Sequence, residues 1–167
     1  YNPLYIYSEW GLGKTHLIQS IAKTLKAKGL NVISITGESF TNDFVKSIKT
    51  NNPKIMNKYR ESDVFILDDI DFLSGKKQTV EILIHIINQL YISGNQIVVT
   101  SYNHPSKINV SNRLTSILKS GLIVKIQSPD KEASKKYIKK SFKKNNININ
   151  DDLIEFISAK KYASFSE

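Results

Sequence analysis

The sequence predicts an α/β fold: a five-stranded, largely parallel sheet with helices on both faces, leading into a helical segment. Three observations carry that prediction. Short apolar and β-branched runs alternate with stretches of helical periodicity, the pattern of βαβ units rather than of hairpins. A Gly-Leu-Gly-Lys-Thr loop follows the first run and opens the first helical stretch. Four apolar residues, Val64–Leu67, run straight into two aspartates, as a strand buried on both faces does where its carboxyl end meets a site.

Each element then follows in order. Leu4–Tyr7 is the first strand, and Lys14–Lys28 the first helix, closed by Gly29. Asn31–Thr36 is the second strand; Gly37 separates it from a helix over Ser39–Lys49. Val64–Leu67 is the third strand, followed by Gly75, a helix over Thr79–Ser93 and Gly94. Gln96–Thr100, a short helix near Ser111–Leu118, Gly121 and Leu122–Ile126 complete the layer. The alternation stops there. Asp130 is placed to cap a helix running to about Lys144, and another helix begins near Asp151. Ala133, Tyr137, Ile138 and Phe142 are the expected buried stripe of the Asp130 helix. Lys135, Lys136, Lys139, Lys140, Lys143 and Lys144 are its expected solvated face, with DNA contact as the sharper alternative. Residues 1–128 thus read as the α/β core and 129–167 as the beginning of a helical subdomain. The abrupt ends, Tyr1-Asn2-Pro3 and Phe165-Ser166-Glu167, read as those of a segment of something longer.

Composition narrows the function classes. The 167 residues hold no cysteine, which excludes a disulfide framework and Cys-ligated zinc or iron–sulfur sites. With His16, His85 and His104 the only histidines, a multi-histidine metal centre is not expected. No apolar run approaches the roughly 20 residues of a membrane helix, and no signal peptide opens the chain; a cytoplasmic location is expected. The net charge of +9 points towards an acidic partner such as nucleic acid. That signal is diluted, because lysine, isoleucine and asparagine, all with AT-rich codons, dominate the composition, and only two of the 24 basic residues, Arg60 and Arg113, are arginine. The scarcity of arginine says more, since its planar fork is hard to replace where phosphate is sensed.

The loop Ser8-Glu9-Trp10-Gly11-Leu12-Gly13-Lys14-Thr15 has the form of a Walker A motif. In such a loop backbone N–H groups and a helix N-terminus cradle phosphates. Lys14 reaches the β- and γ-phosphates, and the Thr15 hydroxyl holds Mg²⁺. The nucleotide-binding set is therefore Ser8, Gly11, Leu12, Gly13, Lys14, Thr15 and His16. The usual pattern starts with glycine where this chain has Ser8, and Glu9 adds a carboxylate near the phosphates. Val64-Phe65-Ile66-Leu67-Asp68-Asp69 has the form of a Walker B strand: Asp68 is expected to hold Mg²⁺ through water, and Asp69 to orient or deprotonate an attacking water. The order and separation of the two motifs make this a nucleotide-binding module.

With these residues in place, the chain resembles the AAA+ domain of the bacterial chromosomal replication initiators of the DnaA family. The likeness rests on Asn2-Pro3-Leu4-Tyr5-Ile6-Tyr7, Gly11-Leu12-Gly13-Lys14-Thr15-His16-Leu17 and Phe40-Thr41-Asn42-Asp43-Phe44. It continues through Lys58-Tyr59-Arg60, Asp68-Asp69-Ile70-Asp71-Phe72-Leu73 and Gln96-Ile97-Val98-Val99-Thr100-Ser101. The resemblance implies an ATP/ADP switch with Mg²⁺ that oligomerises on origin DNA, helps open the duplex and works with the replicative helicase. It implies a helical lid, begun by residues 129–167, a duplex-binding domain further on, and segments before Tyr1. It also makes Ser39–Lys49 the helix that lines a single-strand DNA channel, with Val45 and Lys46 as contacts. The same spacing permits a plain packing face of Phe40, Phe44, Val45 and Ile48.

Several positions depart from the family pattern. Tyr102, followed by Asn103, stands where an acidic residue normally follows Thr-Ser on the fourth strand. In Asn112-Arg113-Leu114-Thr115-Ser116-Ile117-Leu118, Arg113 remains as an intersubunit residue, but Ile117 takes the arginine-finger position, and Lys119 is a partial substitute at best. Ser166 stands in the lid motif where an arginine senses the γ-phosphate. These losses imply weak hydrolysis at most and doubtful ATP-driven assembly. Two alternatives stay open: a helicase loader or initiator-regulating paralogue, and a nucleotide-insensitive DNA-binding or scaffold module. A small-molecule kinase is disfavoured, because two arginines leave little for a second phosphoryl substrate.

Overall fold

The computed structural model describes residues 1–145 and 147–159. The chain divides into two compact units: Tyr1–Glu9 with Gly13–Ile126, and Trp10–Leu12 with the segment from Gln127.

The first unit is a five-stranded parallel sheet in the order β2-β3-β4-β1-β5. Its strands are β1 (Leu4–Tyr7), β2 (Val32–Thr36), β3 (Val64–Asp68), β4 (Gln96–Ser101) and β5 (Leu122–Lys125). Its helices are α1 (Lys14–Ala27), α2 (Gly37–Lys49), α3 (Lys54–Arg60), α4 (Lys77–Ile92) and α5 (Asn112–Ser120). Because side chains alternate across a strand, each buried strand feeds two cores. Tyr5, Phe65, Leu67, Ile97 and Val99 join Phe40, Tyr59, Leu83, Ile87 and Leu118 in the larger core. Ile6, Val64, Ile66 and Val98 join Ile18 and Ala22 of α1 in the smaller one. The sheet therefore has helices on both faces, and all of β3 is buried, as its unbroken apolar run requires.

Register sets the site. Leu67 pairs with Val99 and Tyr7 with Ser101, so the carboxyl ends of β1, β3 and β4 finish at one edge. The Ser8 N–H donates to the Ser101 carbonyl at 3.2 Å, extending that edge by one residue. Gly121 is there for lack of room: a Cβ on it would lie 1.9 Å from the Pro3 carbonyl oxygen.

Two expectations need correction. The sequence pattern predicts no element between α2 and β3, but Lys54–Arg60 is a helix whose Met56 and Tyr59 are buried. Seven residues hold too little periodicity to show in sequence. The second difference lies in the second unit, which holds α6 (Lys131–Lys144) and α7 (Asp151–Ala159). Asp130 caps α6, accepting from the Ala133 N–H at 2.7 Å. The expected buried stripe is absent: Ala133 and Tyr137 are exposed, and Ile138 and Phe142 only half-buried. Three lysines of α6 are drawn instead into ion pairs with α7. Lys131 and Lys135 meet Glu155 at 2.5 Å each, and Lys139 meets Asp151 at 2.7 Å. Among the described residues no helix is long and apolar enough to cross a membrane.

Candidate nucleotide site

The site is built at the carboxyl edge of the sheet by residues of the first unit. Gly13 ends the loop with φ of 84°, a left-handed conformation that glycine adopts at little cost. The helix behind it, α1, has no side-chain cap and no acidic residue in its first turn, so its leading N–H groups and positive dipole end stay open to an anion.

Lys14 is 5% exposed, and its ammonium is held by three oxygens. It donates to the Ser8 carbonyl at 3.0 Å, the Ser8 hydroxyl at 3.1 Å and the Glu9 carbonyl at 3.2 Å. Burial lowers its pKa, and the charges of Asp69, Asp68 and Asp71 oppose that shift. The Ser8 hydroxyl is thus turned onto the lysine, while the Glu9 side chain is exposed. Thr15 Oγ1 donates to Asp68 Oδ2 at 2.9 Å. The other Asp68 oxygen takes a short bond from the Thr100 hydroxyl, which in turn accepts the Asp69 N–H at 3.0 Å. The ends of β3 and β4 are thereby stitched to α1 through one carboxylate.

Asp69 is unusual in two ways. Its φ of 54° places a non-glycine residue in the left-handed region, a strained conformation of the kind that gathers at functional sites. Its Oδ2 accepts from the Tyr102 hydroxyl at 3.1 Å, but its buried Oδ1 has no hydrogen-bond partner among the described residues. Burial, followed by the neighbouring Asp68 charge, raises its pKa.

Several members of this arrangement escaped sequence reasoning. Thr100 and Ser101 are fully buried polar residues closing an apolar strand, which was the available signal. Asp71 accepts from the Ser101 hydroxyl at 2.8 Å, the Tyr102 N–H at 2.9 Å and the Asn103 side-chain amide at 3.1 Å. Gly37 carries no motif signal, yet a Cβ there would lie 2.6 Å from the Asp69 carbonyl oxygen.

Of the residues expected from sequence, Ser8, Gly13, Lys14, Thr15, Asp68 and Asp69 all lie in the first unit, at this edge. Gly11, with φ of 70°, and Leu12 group with the second unit, and the His16 side chain is exposed on α1. Val45 and Lys46 are exposed on α2, as is Ile48 at 58%, so the expected packing face is carried by Phe40 and Phe44 without them. Arg113 and Lys119 are exposed on α5, whereas Ile117 packs against the larger core. Ser166 lies outside the described residues.

An uncapped helix start, a buried lysine and a threonine–aspartate pair at the end of a parallel sheet of this strand order define a P-loop nucleotide-binding module. Comparison with known proteins narrows the class. Residues 1–125 match the family model described as the bacterial DnaA ATPase domain, and the chain belongs to that family. It is 40% identical to the chromosomal replication initiator protein DnaA of Nautilia profundicola, covering all of this chain and 38% of that protein. Domain III of the Thermotoga maritima replication initiation protein DnaA superposes with a TM-score of 0.91 at 36% identity, over 99% of this chain and 71% of that one. A replication initiator DnaA bound to AMPPCP and single-stranded DNA superposes with a TM-score of 0.88 at 35% identity, over 94% and 50%. The chain thus spans about two fifths of the length of the relative it matches.

Proposed function

We propose that this chain is the ATP-binding part of a chromosomal replication initiator that binds origin DNA and promotes duplex opening under nucleotide control. The observation that carries the reading is the chain Thr15–Asp68–Thr100, with Asp68 and Thr100 buried, beside the buried Lys14 ammonium. Its donor set fits a magnesium nucleotide: an exchangeable ammonium, an open helix N-terminus, and paired hydroxyl and carboxylate oxygens of the hard kind Mg²⁺ prefers. In this reading Ser8, Gly11, Leu12, Gly13, Lys14, Thr15 and His16 serve the nucleotide, Thr15 and Asp68 hold the metal, and Asp69 serves hydrolysis.

Bound Mg²⁺–ATP would supply an activated γ-phosphoryl group and a counter-charge for it. The chain's own part is positional. Lys14 would exchange loop oxygens for phosphate oxygens, the leading α1 N–H groups would donate to the anion, and Thr15 and Asp68 would hold the cation. The unpartnered Asp69 Oδ1 is the acceptor available to orient a water molecule. With Ile117 packed into the core, no arginine fork stands at the finger position, so turnover is expected to be slow.

The proposal extends to partners. A relative of this fold is described with AMPPCP and single-stranded DNA. Val45, Lys46 and Ile48 offer this chain an exposed apolar and basic face on α2 for single strands, and the exposed Arg113 is offered for self-association. Origin duplex binding, the replicative helicase as partner and a cytoplasmic location belong to the same reading. So does the division into a nucleotide core, 1–128, and the beginning of a lid, 129–167.

The test is calorimetric titration of ATP and ADP, with Mg²⁺, into the full-length protein and its Lys14→Ala variant. Micromolar or tighter binding that the substitution abolishes is the expected result; no heat from folded wild-type protein contradicts the proposal.

A further inference from the structure

Tyr102 follows β4 directly and touches two of the charged groups at the sheet edge, Lys14 and Asp69. Lys14 Nζ lies over its ring, 4.1 Å from the centroid. Its hydroxyl donates to Asp69 Oδ2 at 3.1 Å. The ring is half-buried, and its backbone is pinned separately, because the Tyr102 N–H donates to Asp71 Oδ2 at 2.9 Å. That carboxylate is itself held by Ser101 and Asn103. The side chain is therefore presented to the site by a fixed turn.

The chemistry of the two contacts is complementary. An ammonium has three N–H donors, and the Ser8 and Glu9 oxygens supply three acceptors; the π face of Tyr102 adds to them an attraction that needs no acceptor. The hydroxyl of the same ring occupies one Asp69 oxygen and so restricts rotation of the carboxylate, whose other oxygen has no hydrogen-bond partner among the described residues. An acidic side chain at this position would attract Lys14 but repel Asp69. An aliphatic one would do neither.

We infer that Tyr102 is a positioning residue of this site, seating the phosphate lysine with its ring and orienting the hydrolytic carboxylate with its hydroxyl. The inference rests on the nucleotide reading above and adds to it that binding and hydrolysis are set through separable parts of one side chain.

Tyr102→Phe and Tyr102→Leu, measured beside Lys14→Ala in the full-length protein, separate the two parts. Tyr102→Phe keeps the ring: Mg²⁺–ATP affinity within about two-fold of wild type is expected, with single-turnover hydrolysis slowed about ten-fold or more, the scale of one lost hydrogen bond to a charged group. Tyr102→Leu loses both contacts, and ATP affinity is expected to fall about three- to thirty-fold, the range of a cation–π contact. In carbon-13 lysine spectra of the nucleotide-free protein, the Lys14 ε-methylene signal is expected upfield, through the ring current, in wild type and Tyr102→Phe. Equal turnover in wild type and Tyr102→Phe, zero in both included, overturns the hydroxyl's role. Unchanged affinity in Tyr102→Leu, or an unshifted Lys14 signal in wild type, overturns the ring's. The Phe variant preserves the packing, so its split between affinity and turnover decides the matter even where the Leu variant does not fold. Wild-type protein without Lys14-dependent binding overturns the nucleotide reading itself. Lys14-dependent binding that is insensitive to Tyr102 overturns only the present inference.

Discussion

The chain holds its charges in two contrasting ways. At the carboxyl edge of the sheet, Lys14 and Asp68 are each 5% exposed and fully engaged by neighbouring oxygens and hydroxyls. Between α6 and α7, Lys131, Lys135 and Glu155 form pairs of 2.5 Å in the open, with Glu155 53% exposed. Short contacts occur in both arrangements, so distance does not rank them. Exposed pairs are screened by water and salt and contribute little. A buried ion is costly to desolvate, and the cost is borne only where hydrogen bonds meet every lone pair and donor. A chain keeps such a cluster when its charges have work that water would blunt, and the roles proposed for Lys14 with phosphate and Asp68 with a metal are work of that kind.

The largest expected effects come from the core beneath the cluster. Phe65 is fully buried between Phe40 and Tyr59, with ring centroids 6.3 and 5.7 Å away. Phe65→Ala is expected to lower stability by about 3–5 kcal/mol in urea melts of the first unit's fluorescence. Next comes Gly37→Ala, whose methyl would meet the Asp69 carbonyl and the Leu73 side chain. A loss of about 1–3 kcal/mol is expected, as for overpacking, with weaker ATP binding because the strand end carrying Asp68 and Asp69 must shift. Stability loss without any change in ATP affinity would show that the two are not linked through that contact.

Asp68→Asn sharpens the comparison. It retains a side chain able to meet Thr15 and Thr100 but removes the charge. Mg²⁺ is expected to stop improving ATP affinity in this variant, while binding without metal changes little; titrations with and without EDTA distinguish the two.

The smallest effects are expected at α6 and α7. The Glu155 pKa is lowered to about 2, first by the bond from Lys131 and then by that from Lys135. A depressed acid stabilises the folded form above its unfolded value of 4.5 and loses that contribution as pH falls towards 2. Carboxyl carbon-13 titration should place Glu155 near 2 at low salt. Half-molar NaCl should move it back towards 4.5. Glu155→Gln should leave the melting of the first unit unchanged.

How much was legible in the sequence follows the same divide. The unbroken apolar run of β3 and its two aspartates gave strand, burial and site together, because a strand covered on both faces has no other way to be written. The loop before α1 was equally plain. The α3 helix was not, since seven residues with two buried side chains carry too little period. The stripe on α6 was over-read: periodicity shows which face is apolar, not whether anything covers it. Gly37 was invisible as a site residue, and Tyr102 was legible only as a departure from the family pattern, for a further reason. Their roles depend on the turn after β3 meeting α2 and β4, a proximity that only the sheet order β2-β3-β4 creates.

The central claim is that the buried cluster at the sheet edge is a magnesium-nucleotide site. Hydrogen exchange of the full-length protein, read by mass spectrometry with and without Mg²⁺–ATP, tests it most directly. Slowed exchange concentrated in the amides of Gly13–Leu17 and in the segment after Asp68, and lost in Lys14→Ala, is the predicted result. Unaltered exchange at those amides under saturating Mg²⁺–ATP would contradict it.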